Sequence, residues 1–239
     1  MNLLLVEPHE VVEPGLARVG GRKARHLRAV LGKGQGDALR VGELGGRVGS
    51  GLIEQVTGGE AWVRYQAEQA PPLACPVQLV LALPRPPMLR RILGHVTALG
   101  VKRLVLLHTA RVEKSFWDSR AVGPDAIRAQ LLLGLEQARD TVLPEVTLAP
   151  RFRPFVEDQL GAWAGPGRRL VADPAGGAAT GSVERTTAVV GPEGGLIPFE
   201  LGLLAKEGFG VVSLGPRILR VETAVVALTA RLAGGEADR

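Results

Sequence analysis

Two apolar runs near the C-terminus constrain this chain more than any other feature. Val189-Val190-Gly191-Pro192-Glu193-Gly194-Gly195 and Val211-Val212-Ser213-Leu214-Gly215-Pro216-Arg217 each read as a strand stopped at a Gly-Pro corner, and each corner runs into a helical pattern. Proline fixes φ and cannot donate to a ladder, while glycine lets the main chain turn sharply or be approached closely. Strand-to-helix corners of this kind are where open α/β sheets bind ligands, through bare backbone N–H and C=O groups. Taken singly, either corner also reads as an ordinary tight turn. Neither is a phosphate cradle: no G-x-G-x-x-G follows a strand, and no G-x-x-x-x-G-K-[ST] occurs.

The pattern upstream supplies the sheet those corners need. Strands are predicted over Val77–Leu83, Arg103–Leu107, Leu170–Ala172, Thr187–Val190 and Val211–Leu214. Helices are predicted over Met88–Leu99, Ala126–Ala138, Pro154–Leu160, Phe199–Lys206 and Arg220–Leu232. Repeated βα units imply an α/β fold with a mostly parallel sheet covered on both faces. The first third reads differently. Short strands over Leu3–Val6, Ala38–Val41, Gly51–Val56 and Ala61–Tyr65, hairpin turns at Gly45-Gly46 and Gly58-Gly59, and one helix over Lys23–Leu31 suggest a small barrel. Ala70-Pro71-Pro72 is the stiff linker between them, which divides the chain into domains 1–72 and 73–239.

At 239 residues, 46% of them hydrophobic and 22% charged, the chain can build two modest cores, and wholesale disorder is excluded. The net charge of +5 favours a polyanionic partner. Most of it is arginine, since lysine occurs only at 23, 33, 102, 114 and 206. A coding bias toward arginine accounts for that equally well. Cys75 is the single cysteine, so no intramolecular disulfide can form, and no Cys/His cluster has zinc spacing. With no basic, apolar leader and no run long enough to span a bilayer, the sequence reads as cytoplasmic and free of membrane and metal. Nucleophile-elbow chemistry is excluded, because Val211-Val212-Ser213-Leu214-Gly215 lacks the first glycine.

Read together, Gly191–Gly195 (GPEGG) and Leu214–Ala224 (LGPRILRVETA) resemble the paired signature of the RsmE-type small-subunit rRNA methyltransferases of the SPOUT superfamily. Leu83-Pro84-Arg85-Pro86, Gly100-Val101-Lys102, Arg111–Trp117 and Leu135–Ala138 follow in that family's order, as do His26-Leu27, Val30-Leu31 and Gly36-Asp37 near the front. The resemblance implies a C-terminal SPOUT domain tied in a trefoil knot and a small N-terminal PUA-like β-barrel that binds RNA. It implies S-adenosylmethionine as cofactor and N3 of a uridine in 16S rRNA as the methyl acceptor. It also implies a homodimer formed through the knot domain.

Residue by residue, the resemblance places the cofactor on Ala172, Gly191, Pro192, Glu193, Gly195, Leu214, Gly215, Ile218 and Leu219. Arg217, Arg220 and Glu222 are the candidates for the chemistry. Two guanidinium groups can stabilise charge on ring carbonyls, and a carboxylate can accept the weakly acidic N3 proton. Glu222 also reads as a partner of Arg220, or as an acidic residue stabilising the start of its helix. Arg22, Lys23, Arg25, Arg28, Arg111 and Lys114 are the candidate RNA contacts, and the first four equally describe a solvated helix face. A 2′-O-ribose methyltransferase of the same superfamily and a catalytically inactive RNA-binding relative are the competing functions.

Overall fold

The computed structural model describes residues 2–57 and 59–234. The chain forms two compact units, Met1–Leu73 with Leu131–Leu143, and Ala74–Gln130 with Pro144–Arg239.

The first unit holds β1 (Leu4–Val6), β2 (Val11–Glu13), β3 (Leu16–Gly20), α1 (Gly21–Arg25, prolonged by a π turn over His26–Val30), β4 (Ala38–Glu43), β5 (Val48–Val56) and β6 (Glu60–Gln69). These strands make one sheet in the order β1-β4-β5-β6-β3-β2, with β1 parallel to β4 and the other ladders antiparallel. Alternation sets its inner face: Ala61, Val63 and Tyr65 of β6 are buried with Ala17, Val19, Val41 and Ile53, and Ala24 and Leu27 close over them. The opening Leu3-Leu4-Leu5-Val6 has no polar alternation because both of its faces are covered. Leu4 and Val6 join that cluster, while Leu3 and Leu5 pack with Val48, Leu132 and Leu135. Two strands went unpredicted, β2 and β3, whose short runs carry Glu13 and Arg18. Of the two predicted hairpin turns, Gly45-Gly46 joins β4 to β5, and Gly58 of the other lies outside the described residues.

In the second unit the elements run β7 (Val77–Ala82), α2 (Pro86–Ala98), β8 (Arg103–Leu107), α3 (Pro124–Ala138, of which residues 124–130 belong here), β9 (Glu145–Ala149), α4 (Phe152–Asp158), α5 (Leu160–Ala164), β10 (Arg168–Ala178), β11 (Thr186–Val190), α6 (Pro198–Lys206), β12 (Gly210–Ser213) and α7 (Val221–Ala233). Six strands form a sheet in the order β12-β10-β11-β7-β8-β9, and every ladder is parallel. Parallel strands buried on both faces need continuous apolar runs, and β7 and β11 are buried at every position. On one face Val80, Val105, Val171 and Val189 meet Phe155, Val156, Leu160, Leu203 and Leu204 of α4, α5 and α6. The other face is taken by α7, which lies over β7 and β11 and packs on α2. No described helix is long and apolar enough to cross a membrane.

Candidate active site

The strand order gathers the glycine corners. Ala172 of β10 pairs with Val190 of β11 on one side and with Val212 of β12 on the other. The chain segments that leave these three strands therefore open side by side at the C-terminal edge of the sheet, the usual ligand edge of an open α/β fold. β10 does not stop there. Val212 faces both Ala172 and Gly177, so residues 173–176 form an excursion in the strand, with the Ala175 N–H donating to Asp173 Oδ1 at 2.9 Å. A Cβ on Gly176 would lie 2.6 Å from the Val212 backbone, so this close return requires glycine.

The second corner is a tight turn with an exposed tip. Gly191 and Pro192 are buried, Glu193 and Gly194 are exposed, and the Gly195 N–H returns to the Pro192 carbonyl at 2.8 Å. Pro198 opens α6, where the missing N–H costs nothing. Glu200, in the first turn, turns back so that its Oε2 accepts from the Ile197 N–H at 2.9 Å. Its Oε1 accepts from the Ala110 N–H at 2.6 Å, in the loop after β8. In the same loop Arg111 donates to the Gly194 carbonyl.

The third corner is the most open. Ser213 Oγ and the Gly215 backbone exchange hydrogen bonds of 3.2 and 3.3 Å, and Gly215 has φ +114, a conformation other residues rarely adopt. Beyond it residues 216–220 are exposed, with Ile218 at 91% and Leu219 at 36%. Arg220 caps α7 through its backbone only: its carbonyl accepts from the Ala224 N–H at 2.8 Å, and its side chain makes no capping bond. Glu222 sits half-buried in the first turn of α7. Among the described residues no ion pair joins Arg220 and Glu222, so Glu222 is left with the position at the helix's positive end.

The candidate RNA contacts divide sharply. Lys23 is only 7% exposed, and its Nζ is held by Glu10 at 2.6 Å and Glu7 at 3.3 Å, so it offers no charge to solvent. That is a correction to the solvated-cluster expectation, since helical periodicity alone does not reveal two carboxylates on a neighbouring turn. Those carboxylates and His9 lie together, and the Lys23 ammonium already bonds to both carboxylates. Arg22 is committed to the buried Glu136 through bonds of 2.5 and 2.9 Å, which raise the guanidinium above its ordinary value. Arg25 and Arg28 are exposed, and Arg28 borders a shallow polar depression of about 430 Å³ with Lys33, Gln35, Gln55 and Thr57. Lys114 is exposed in the loop after β8.

Sequence reasoning assigned no role to Glu200. A glutamate three residues past a helix N-cap signals the contact to Ile197, whereas the contact to Ala110 spans 90 residues and leaves no local trace.

A parallel α/β domain with three glycine-bearing strand ends along one edge defines a class of ligand-binding enzyme domains rather than one activity. The chain belongs to the RNA methyltransferase domain family, which it matches over residues 71–233. It is 32% identical to the ribosomal RNA small subunit methyltransferase E of Treponema pallidum, over 96% of this chain and 90% of the relative. To the protein of the same name from Mycobacterium bovis it is 30% identical, over 87% and 82% respectively. The fold matches that of the ribosomal RNA small subunit methyltransferase E from Neisseria gonorrhoeae bound to S-adenosyl methionine. The TM-score is 0.74, with 20% identity and 95% of each chain covered.

Proposed function

We propose that the protein is an S-adenosylmethionine-dependent methyltransferase acting on N3 of a uridine in small-subunit (16S) rRNA. Membership of the RNA methyltransferase family and the two relatives named for small-subunit rRNA support the reaction class and the substrate. The observation that carries the site assignment is the convergence of Ala172, the 191–195 turn and the 213–215 turn on one sheet edge. The residues there fit the cofactor. A Cβ on Gly215 would meet nothing within 4 Å, so that backbone is open to a ligand, and Ile218 and Leu219 offer exposed apolar surface for an adenine ring.

In this reading the backbone of Gly191, Pro192, Glu193, Gly195, Leu214 and Gly215 holds the adenosine, with Ala172, Ile218 and Leu219 as walls. When bound, S-adenosylmethionine supplies a methyl group already activated on a sulfonium. The protein's task is alignment and charge: Arg217 and Arg220 steady negative charge on the uracil carbonyls, and Glu222 accepts the N3 proton. Arg25 and Arg28 contact RNA phosphates from the first unit, and Arg111 and Lys114 from the second. A trefoil knot over the C-terminal strands, a PUA-like barrel for the first unit, homodimerisation through the knot domain and a cytoplasmic location complete the reading.

The test is treatment of small-subunit rRNA with enzyme and S-adenosylmethionine, followed by nucleoside mass spectrometry and primer extension. The expected result is 3-methyluridine and a strong reverse-transcriptase stop at one uridine, independent of nucleotide concentration, because the methyl removes a pairing donor. A stop seen only at low nucleotide concentration, with resistance to alkali at that residue, would establish 2′-O methylation instead.

A further inference from the structure

The corner after β11 is not held by its own residues alone. Glu200 is 2% exposed, and each of its carboxylate oxygens accepts one backbone N–H, from Ile197 at 2.9 Å and from Ala110 at 2.6 Å. Hydrogen bonds to a carboxylate are the stronger kind, and a buried N–H left without its acceptor carries the full desolvation penalty. The same two segments are tied a second time, again with the loop after β8 as donor, by Arg111 donating to the Gly194 carbonyl. Gly194 leaves room for this: a Cβ there would lie 3.0 Å from Arg111 Cδ. The loop after β8 is itself anchored, with the His108 N–H on the Ala149 carbonyl at 2.9 Å and the Trp117 Nε1–H on His108 Nδ1 at 2.9 Å.

We infer that Glu200 is a positioning residue, which locks residues 191–197 to the loop after β8 so that the two segments present one rigid surface. The inference rests on the reading of 191–195 as the donor-binding turn. A glutamate that only capped α6 would need the Ile197 contact alone. The contact to Ala110 recruits a loop that adds nothing to the cap, and that loop carries Arg111 and Lys114. Glu200 thereby fixes the spacing between the donor turn and two cations read as RNA contacts. It touches neither ligand and acts through the backbone it holds.

Glu200→Gln is the test variant in the full chain, since it keeps the volume but turns an NH₂ toward one of the two N–H groups. Arg111→Met cuts the second tie at an exposed position. Calorimetric titration with S-adenosylmethionine, at a temperature where melting curves show both variants folded, is expected to show about tenfold weaker binding for Glu200→Gln, the effect of losing one charged hydrogen bond. A smaller loss is expected for Arg111→Met. Steady-state assays should place the effect of Glu200→Gln mainly in KM for the donor, in contrast to a loss in kcat for Arg220→Ala. Amide exchange at Ala110 should accelerate along with that at Ile197. Unchanged donor affinity in Glu200→Gln, with only a lower melting temperature, would reduce Glu200 to a helix cap and overturn the inference alone. A wild-type protein that binds no S-adenosylmethionine would overturn the functional reading and this inference with it.

Discussion

Tyr65 lies in the core of the first unit and donates its hydroxyl hydrogen to Glu43 at 2.9 Å. Burial, reinforced by that carboxylate, pushes the phenol up to about 12. The unfolded phenol titrates near 10, so the stabilising effect is whole below about pH 10 and is lost as pH rises through about 12, because the unfolded chain releases its proton first. Urea melts at pH 9 and pH 11.5 should therefore show a larger loss for wild type than for Tyr65→Phe; equal losses would mean that Tyr65 does not titrate differently on unfolding. Arg220 is the opposite kind of residue, exposed and without a capping bond, so its removal costs little stability. Arg220→Ala should lower kcat/KM by about two to three decades, the range for losing one charge-stabilising donor, with the melting temperature almost unmoved. Wild-type single-turnover rates would remove Arg220 from the chemistry. What separates legible residues from illegible ones here is partner distance. Arg217, Arg220 and Glu222 share one short segment and can be proposed together from the sequence, whereas the pairing of Lys23 with Glu7 and Glu10 on another turn leaves no such local pattern.

Among the elements, glycine substitutions distinguish positions where a side chain would press on the protein itself from positions open to a ligand. A Cβ on Gly191 would sit 3.2 Å from Leu196 Cγ and 3.3 Å from its N, so a side chain at that position would crowd its own turn. Gly215 has nothing within 4 Å, which makes it the cleaner probe of the cofactor site. Gly215→Val should abolish S-adenosylmethionine binding while the chain still folds with a modest loss from the strained φ; unchanged calorimetric affinity would move the site elsewhere. In the first unit β5 and β6 approach so closely at Gly49 that a Cβ would lie 1.8 Å from the Gln66 carbonyl oxygen. Gly49→Ala should cost about 3 kcal/mol by urea denaturation, the upper end for forced overpacking. Gly94, inside α2 with open space around it, should gain up to about 1 kcal/mol on change to alanine. A Gly49→Ala variant as stable as Gly94→Ala would disprove the close approach.

For the molecule as a whole, the basic charge that composition records is not uniformly available to a polyanion. Arg22 and Lys23 are neutralised by acidic partners, while Arg25 and Arg28 remain exposed on the same stretch of chain. Changing both Arg25 and Arg28 to alanine should weaken RNA binding and reduce the slope of log K against log salt by about two, one for each phosphate no longer neutralised. Filter binding across a salt series measures this, with donor affinity as the control that should not move. Lys23→Met should leave the slope untouched. An unchanged slope in the double variant would return Arg25 and Arg28 to plain solvation.

The sequence by itself determined five of the six strands from Val77 onward, missing the edge strand β9, along with the amphipathic helices, the parallel character of that sheet and the Gly-Pro corners. Each of these is written in residues a few positions apart, where period and turn chemistry act directly. Only the tertiary structure decided that β10 lies between β11 and β12, which brings Ala172, Gly191 and Gly215 to one edge although 43 positions separate the first from the last. It also assigned residues 131–143 to the first unit, buried Lys23 and joined Glu200 to Ala110. Strand order and long-range hydrogen bonds depend on which surfaces compete best for burial across the whole chain, and no local window of sequence contains that competition.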